Sequence, residues 1–198
     1  FNSNSIFYYD LNVKNLGEMR FISASKGGPN PSYVIVDNKR EYLYSVNEEI
    51  EEEGGFVSSY KISKVDGSLS LVSKQICSGY PCHLSLDKEE NHLLVASFAG
   101  SISIFPICNG EIKEASKVIQ HYGSSINKER QEKAHCHYIA VDPTQQYVFV
   151  VDLGIDKILS YDLKNLLSDK KEEVISKVAF STNPGSGPRH MLFNSSSD

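Results

Sequence analysis

Three histidines and one arginine recur at regular distances along this 198-residue chain. His83 and His137 are 54 residues apart, His137 and His190 are 53 apart, and Arg189 directly precedes the last histidine. A histidine can accept a proton near neutral pH, because its unperturbed pKa is about 6.5. An arginine keeps its charge and binds phosphate or carboxylate through paired hydrogen bonds. If the fold brings these four side chains together, they predict a polar pocket that attracts an anion.

The histidines fall near the start of a short motif that leads from polar residues into an apolar run. Three copies end in Asp and span residues 31–37, 81–87 and 136–142, and a fourth copy begins at Pro188. A repeat of about 50 residues is typical of propeller blades. In a propeller the first strand of every blade lines the central channel. The motif therefore predicts that the histidines occupy equivalent places in successive blades, around one mouth of the channel.

Each copy continues with a polar turn and further β-rich runs, which alternate apolar and polar residues as half-buried strands do. The second runs span residues 42–46, 92–96 and 147–151, and the third span 55–60, 101–105 and 157–161. Weaker fourth runs span residues 70–73, 115–119 and 174–178. The pattern predicts an all-β fold, a β-propeller of four-stranded antiparallel blades.

Both ends of the chain fall inside a repeat. Residues 5–10 match a third strand and residues 19–23 match a fourth strand. We therefore expect residues 1–198 to form a single partial β-propeller domain, with three complete blades (31–76, 82–119 and 136–180) and parts of two others. A ring of blades must close to bury its end faces. The chain is accordingly expected to be a fragment that needs missing C-terminal blades for ring closure.

Composition and cysteine spacing exclude several classes of function. The net charge is −5 without a basic stripe, and no apolar run approaches the roughly 20 residues that span a bilayer, so neither nucleic acid nor membrane is an expected partner. No signal peptide is visible, and a cytoplasmic location is expected. The four cysteines lack zinc-site spacing, which predicts no metal and no cofactor. Cys82 and Cys136 each precede a histidine; small buried residues are favoured there over nucleophiles.

A long insertion that starts near Gln120 and ends at the third motif adds further candidates. Long loops without secondary structure are uncommon unless they are functional. Arg130 and His135 lie on this insertion, and Asp152 lies in a turn after a second strand. The predicted pocket rim therefore consists of His83, Arg130, His135, Asp152 and His190.

Several motifs together resemble the lactonase family of seven-bladed β-propellers, which includes a bacterial 6-phosphogluconolactonase and a fungal carboxy-muconate cyclase. The resemblance covers essentially the whole chain and corresponds to the N-terminal half, or slightly more, of a family member. It rests on residues 28–33 with 44–48, 129–137, 151–154 with Asp156, and 187–190.

The resemblance implies roles for individual residues. His137 matches the family's candidate base, and Arg189 matches its substrate-binding arginine. The family's catalytic Glu would lie beyond Asp198, and Glu48 has the same repeat position in another blade, so Glu48 is expected at the pocket rim. The implied partner is a small anionic lactone.

Three functions remain open at the level of sequence. The first is hydrolysis of a phosphorylated sugar lactone, the second is lactone-forming cycloisomerisation of a muconate, and the third is a non-catalytic interaction scaffold. His137 and Arg189 favour the first two functions over the third. The breadth of the family favours hydrolysis, which is an argument by analogy.

Overall fold

A computed structural model describes residues 3–15, 17–49, 55–77, 79–168 and 174–194. Nearly all of the regular structure in these ranges is β-strand, with one short helix, α1 (Leu163–Leu167). The strands are β1 (Ser5–Asn12), β2 (Glu18–Lys26), β3 (Pro31–Val36), β4 (Tyr42–Asn47), β5 (Phe56–Ile62), β6 (Leu69–Ile76), β7 (Pro81–Leu86), β8 (His92–Ser97), β9 (Ser101–Cys108), β10 (Glu111–Ile112), β11 (Lys117–Gln120), β12 (Cys136–Val141), β13 (Tyr147–Asp152), β14 (Lys157–Asp162) and β15 (Lys177–Ser181).

The strands form one hairpin and three antiparallel sheets in which chain neighbours pair. The hairpin is β1–β2, and the sheets run β3 to β6, β7 to β11 and β12 to β15. In the middle sheet, β10 and β11 both pair with β9 and share the place of the fourth strand. The predicted all-β architecture of four-stranded antiparallel blades is confirmed. Residues 188–193, predicted as a first strand, are not in a sheet, because no described strand lies beside them.

Each complete blade begins with a β-bulge at the same place. The ladder skips one residue near the start of β3, β7 and β12, and the skipped residues are Ser32, Cys82 and His137. His137 is therefore equivalent to Ser32 and Cys82, whereas His83 is equivalent to Tyr33 and Tyr138. The prediction that His83 and His137 occupy equivalent positions was wrong by one residue, since spacing alone cannot locate a bulge. Bulges re-aim side chains and are frequent next to active sites.

The aspartate that ends each motif closes the turn into the second strand. Asp87 and Asp142 accept hydrogen bonds from the backbone N–H groups of His92 and Tyr147, at 2.8 and 2.7 Å. The following turn also links blades, because the Gln145 side chain accepts a hydrogen bond from the backbone of Lys88 in the preceding blade, at 3.2 Å. The repeated Asp is thus explained by the construction of the blade.

Apolar side chains from facing sheets fill the spaces between neighbouring blades. One cluster lies between the first and second complete blades and includes Tyr44, Leu84 and Phe105. A second cluster, which includes Ile102 and Ile139, joins the second and third. This packing sets the inner strands β3, β7 and β12 side by side, so the residues at their starting ends converge. Within the described residues, no helix is long and apolar enough to cross a membrane.

Candidate functional site

His83 lies in the middle of the converging strand ends. Its ring is held between Tyr33 and Tyr138, with centroid distances of 4.3 and 4.2 Å. Its Nδ1 accepts the backbone N–H of Ile139 at 3.3 Å, so Nε2 carries the proton in the neutral ring. Burial, followed by the charges of His190 and His137, lowers the pKa of His83 to about 4. His83 is therefore a neutral hydrogen-bond donor at physiological pH.

His137 occupies the bulge of the third complete blade. Its ring lies 5.1 Å from that of His190 and 6.4 Å from that of Phe98, centroid to centroid. Its Nδ1 is buried without a hydrogen-bond partner among the described residues, whereas Nε2 is the ring nitrogen that remains accessible. Burial, with the nearby charges of Arg189 and His190, lowers the pKa of His137 to about 4. The ring is therefore neutral near pH 7, and Nε2 is the nitrogen that a ligand can reach.

Arg189 and His190 reach this cluster from the segment that follows β15. Both side chains are exposed, in contrast to His83 and His137. Arg189 directly precedes His190, whose ring lies 5.1 Å from that of His137, and its charge contributes to the lowered pKa of His137. The structure therefore brings together the four residues that predicted the pocket, His83, His137, Arg189 and His190.

Glu48 lies beside a cavity at the same ends of the inner strands. Its Oε1 accepts a hydrogen bond from the bulge residue Ser32 at 2.7 Å. The cavity has a volume of about 640 Å³, and its walls include Ser32, Glu48, Tyr80 and Phe98. Phe98 also contacts His137, so it connects this cavity to the histidine cluster. The starting ends of the inner strands thus bring together the Glu48 carboxylate, the Arg189 cation and two neutral imidazoles.

His135 packs against Phe98, a residue of the cavity wall. Its ring stacks on Phe98 at 4.2 Å, and its Nδ1 donates to the Phe98 carbonyl at 2.6 Å. Its Nε2 lies 3.2 Å from the carboxylate of Glu132. Both ring nitrogens are therefore occupied, and His135 positions Phe98. Arg130 is exposed on the insertion, where its backbone N–H donates to Asn127, and no hydrogen bond within the described part of the chain ties it to the histidine cluster.

Asp152 does not line the cavity, contrary to the expected place near the pocket. It is fully buried, and its Oδ1 accepts the backbone N–H groups of His135 and Gly154 at 2.8 and 3.1 Å. Its Oδ2 lies 2.9 Å from Nδ1 of His121. The carboxylate ends strand β13 and points beneath the insertion, so it anchors the loop that leads to His137.

His121 and the network around it were missed by the sequence analysis. Its Nδ1 contacts Cys136 Sγ at 3.2 Å as well as Asp152, and its Nε2 lies 2.7 Å from the Tyr161 hydroxyl. No local sequence pattern identifies His121, because its partners are 15, 31 and 40 residues away in sequence.

The same network contains the side-chain types that ligate metals or act as nucleophiles. In the described ranges, His121, Cys136 and Asp152 form the group whose donor atoms lie close enough together to hold a metal ion. These three side chains already contact one another at hydrogen-bonding distances. Burial, reinforced by the Asp152 charge, raises the pKa of the Cys136 thiol, and burial raises the pKa of Cys82 to about 12. Both thiols are protonated near pH 7, so they serve packing rather than nucleophilic attack.

Comparison with known proteins then places this arrangement in a family. The profile of the family described as lactonase, 7-bladed β-propeller, matches residues 2–198. The chain belongs to this family. The resemblance inferred from the motifs is thereby confirmed.

Lactonase-family relatives match over the same part of the fold. The chain is 35% identical to a 6-phosphogluconolactonase of Bacillus subtilis over 198 residues, which is 97% of this chain and 53% of that protein. A crystal structure of a Bacteroides fragilis protein proposed to be a 6-phosphogluconolactonase aligns with a TM-score of 0.87 and 34% identity, over 100% of this chain and 56% of that one. A periplasmic gluconolactonase of Pseudomonas aeruginosa aligns with a TM-score of 0.85 and 26% identity, over 96% and 54%. The chain thus spans about half the length of the relatives it matches.

Proposed function

We propose that the intact protein hydrolyses a small anionic sugar lactone, of the 6-phosphogluconolactone type, at this mouth of the channel. The observation that carries the proposal is a neutral His137 with an accessible Nε2, placed near the positive charge of Arg189. Relatives named as lactonases support the same class of reaction.

The reaction follows from these groups. Nε2 of His137 accepts a proton from a water molecule as the water oxygen attacks the lactone carbonyl carbon. The carbonyl π electrons move to oxygen and form an oxyanion, which Arg189 and the Nε2–H of His83 are suited to stabilise. When the oxyanion collapses, the ring C–O bond breaks, and protonated His137 returns its proton to the leaving alkoxide. The products are a carboxylic acid and an alcohol.

The depressed pKa of His137 suits the second half of this cycle. A ring whose pKa is about 4 is a modest base, but once protonated it is a strong acid. It therefore delivers its proton readily to the ring oxygen, which is a far more basic alkoxide. In the first half, the oxyanion donors must supply the larger share of the barrier reduction.

Anion recognition is assigned to Arg189, and hydroxyl recognition to the rim. A guanidinium binds phosphate through paired hydrogen bonds. Glu48 and Ser32 already form a hydrogen bond at the cavity wall, and they offer acceptors and donors to sugar hydroxyls. The resemblance places a catalytic Glu beyond Asp198, so residues 1–198 are proposed to hold only part of the site. We also propose a cytoplasmic location, which cell fractionation would check.

The test is the opening of 6-phosphogluconolactone by the intact wild-type protein, measured above the spontaneous rate in the same buffer. Unphosphorylated gluconolactone is the matched substrate that lacks the anion. We expect clear acceleration, with a lower KM for the phosphorylated substrate. Cyclisation of a carboxy-muconate without lactone opening would instead establish the cycloisomerase. Acceleration of neither reaction would establish a scaffold.

A further inference from the structure

The segment that follows β15 and carries Arg189 and His190 is held in place by hydrogen bonds to one side chain. Residues 182–194 form no sheet ladder among the described residues. Gly185 and Gly187, just before Arg189, both have left-handed backbone with φ of 88° and 57°. Their N–H groups point to the same carboxylate, that of Asp156. This single side chain therefore holds the part of the chain that leads from β15 to Arg189.

The Asp156 carboxylate is saturated by four donors. Oδ1 accepts the Gly187 N–H at 2.7 Å, and Oδ2 accepts the Gly185 N–H at 2.7 Å. The backbone carbonyl of Asp156 also accepts the Thr182 N–H, at 3.0 Å. The Thr182 hydroxyl donates to the same carbonyl at 3.2 Å, so four hydrogen bonds join the segment that precedes Arg189 to one buried residue in the turn between β13 and β14.

The other two donors come from the insertion. Gln131 Nε2 donates to Oδ1 of Asp156 at 2.8 Å, and Ser125 Oγ donates to Oδ2. Gln131 also donates to the Leu153 carbonyl at 2.8 Å, and its own backbone N–H is bound to Asn127. Asp156 is therefore the point where the insertion, which leads to His137, is joined to the segment that bears Arg189.

We infer that Asp156 is a positioning residue that fixes Arg189 and His190 against His137. The inference deepens the proposed function, on which its catalytic consequence depends. Hydrogen bonds to a charged acceptor are among the stronger polar contacts in proteins, and a neutral amide at this position cannot accept four of them. Replacement should release the segment while leaving His137 on its strand.

Asp142 provides a matched control in the same blade. It is similarly buried, and its carboxylate also accepts several donors, from Thr144, Gln146 and Tyr147. All of these partners belong to its own turn. Asp142→Asn should therefore lower thermal stability as Asp156→Asn does, without affecting Arg189 or His190.

The experiment compares Asp156→Asn with Asp142→Asn in the intact protein by hydrogen exchange and by lactone kinetics. We expect exchange in residues 182–190 to accelerate at least about tenfold in Asp156→Asn only. KM for 6-phosphogluconolactone should rise at least about tenfold, with a smaller change in kcat, because an anion contact is lost. Ser125→Ala, which removes one donor, should shift both quantities less and in the same direction, and it substitutes if Asp156→Asn does not fold.

Three results would overturn the inference: unchanged exchange in residues 182–190, an equal effect of Asp142→Asn, or faster exchange with unchanged KM. Hydrogen exchange needs no substrate, so it tests the role of Asp156 even if the proposed lactone hydrolysis is wrong. If the wild type does not open the lactone but Asp156→Asn loosens residues 182–190, the structural tie stands and the hydrolase proposal falls.

Discussion

The imidazole rings of His137 and His190 lie 5.1 Å apart with an angle of 63° between their planes. The His137 ring lies on a bulge in an inner strand, and the His190 ring lies on the segment that follows β15. Their proximity brings the neighbouring Arg189 charge to bear on His137. It follows that the protonation of His137 depends on how residues 187–190 are held.

The pH dependence of turnover should reveal this coupling. Since burial, Arg189 and His190 lower the pKa of His137 to about 4, the acid limb of kcat/KM should fall near pH 4. An unperturbed histidine would place that limb near pH 6.5. The measurement is kcat/KM for lactone opening from about pH 3.5 to 8, corrected for the spontaneous rate.

Arg189→Gln is the control for the cause of that shift. Removing the guanidinium should raise the pKa of His137, so the acid limb should move upward in pH while kcat/KM falls. A limb near pH 6.5 in the wild type would contradict the assignment of His137 as the base. A limb that Arg189→Gln leaves in place would contradict the contribution of Arg189 to the lowered pKa of His137.

Folding stability should decline in mildly acidic solution. The pKa of both His83 and His137 is about 4 in the folded protein, against about 6.5 when unfolded. The unfolded chain therefore binds more protons between these values, and stability is lost as the pH falls through this window. The free energy of unfolding in urea, measured at several pH values, should decrease from about pH 6.5 to about pH 4.

The histidine origin of this decline has a direct control. The double variant His83→Gln, His137→Gln should show a flatter dependence over the same window, whatever its absolute stability. The pKa values of Asp142 and Asp156 are also lowered in the folded protein. Their contribution to folding stability is lost at lower pH, as the two carboxylates become protonated. Equal slopes for wild type and double variant would refute the histidine origin.

Gly154 should not tolerate even a methyl group. A Cβ there would overlap the carbonyl oxygen of Lys133 and lie 2.7 Å from the backbone nitrogen of His135. Gly154→Ala should therefore destabilise the protein by more than about 2 kcal/mol and displace the loop that leads to His137. Thermal unfolding and lactone kinetics are the two measurements.

Gly17 is the comparison, since a Cβ there meets no heavy atom within 4 Å although φ is 101°. Gly17→Ala should cost only about 1 kcal/mol, from backbone strain, and leave kcat unchanged. If both variants lose the same stability, the close approach of the Lys133 and His135 backbone is not the reason that position 154 requires glycine.

Residues 1–198 expressed alone should associate and lack lactonase activity. The β1–β2 hairpin leaves Phe7, Met19 and Phe21 more than half exposed, at 55%, 66% and 54%. Exposed apolar patches and unpaired strand edges favour association. Light scattering after gel filtration should find oligomers, and Met19→Glu with Phe21→Glu should reduce them. A monodisperse wild-type monomer with cooperative unfolding would oppose this prediction.

The blade pattern could be predicted from sequence because alternation and turn residues are local signals. The hairpins β3–β4, β7–β8 and β12–β13 follow directly from apolar runs around a turn that begins with Asp. The fourth strand of the last sheet was predicted from residue 174 but begins at Lys177, where pairing with β14 starts. Weak outer strands depend on their partner more than on their own sequence.

The candidate site was predictable in part. His83, His137, Arg189 and His190 converge because repeats place strand starts around one channel. The bulge at His137 was not predictable, since a one-residue slip leaves no mark on spacing. The burial of Asp152 beneath the insertion, and its contact with His121, depend on residues 31 positions apart. Such pairings arise only when the blades pack.

The most direct test of the account is the turnover of His137→Ala in the intact protein, with His92→Ala as the control. His92 begins β8, at the turn from β7, where its Nδ1 lies 3.2 Å from the Asp87 carboxylate, and it does not line the cavity. His137→Ala should lower kcat for 6-phosphogluconolactone by roughly 100- to 10,000-fold, as expected for loss of a general base, with His92→Ala near wild type. If His137→Ala retains wild-type kcat while folded, His137 is not the base and the proposed mechanism is wrong.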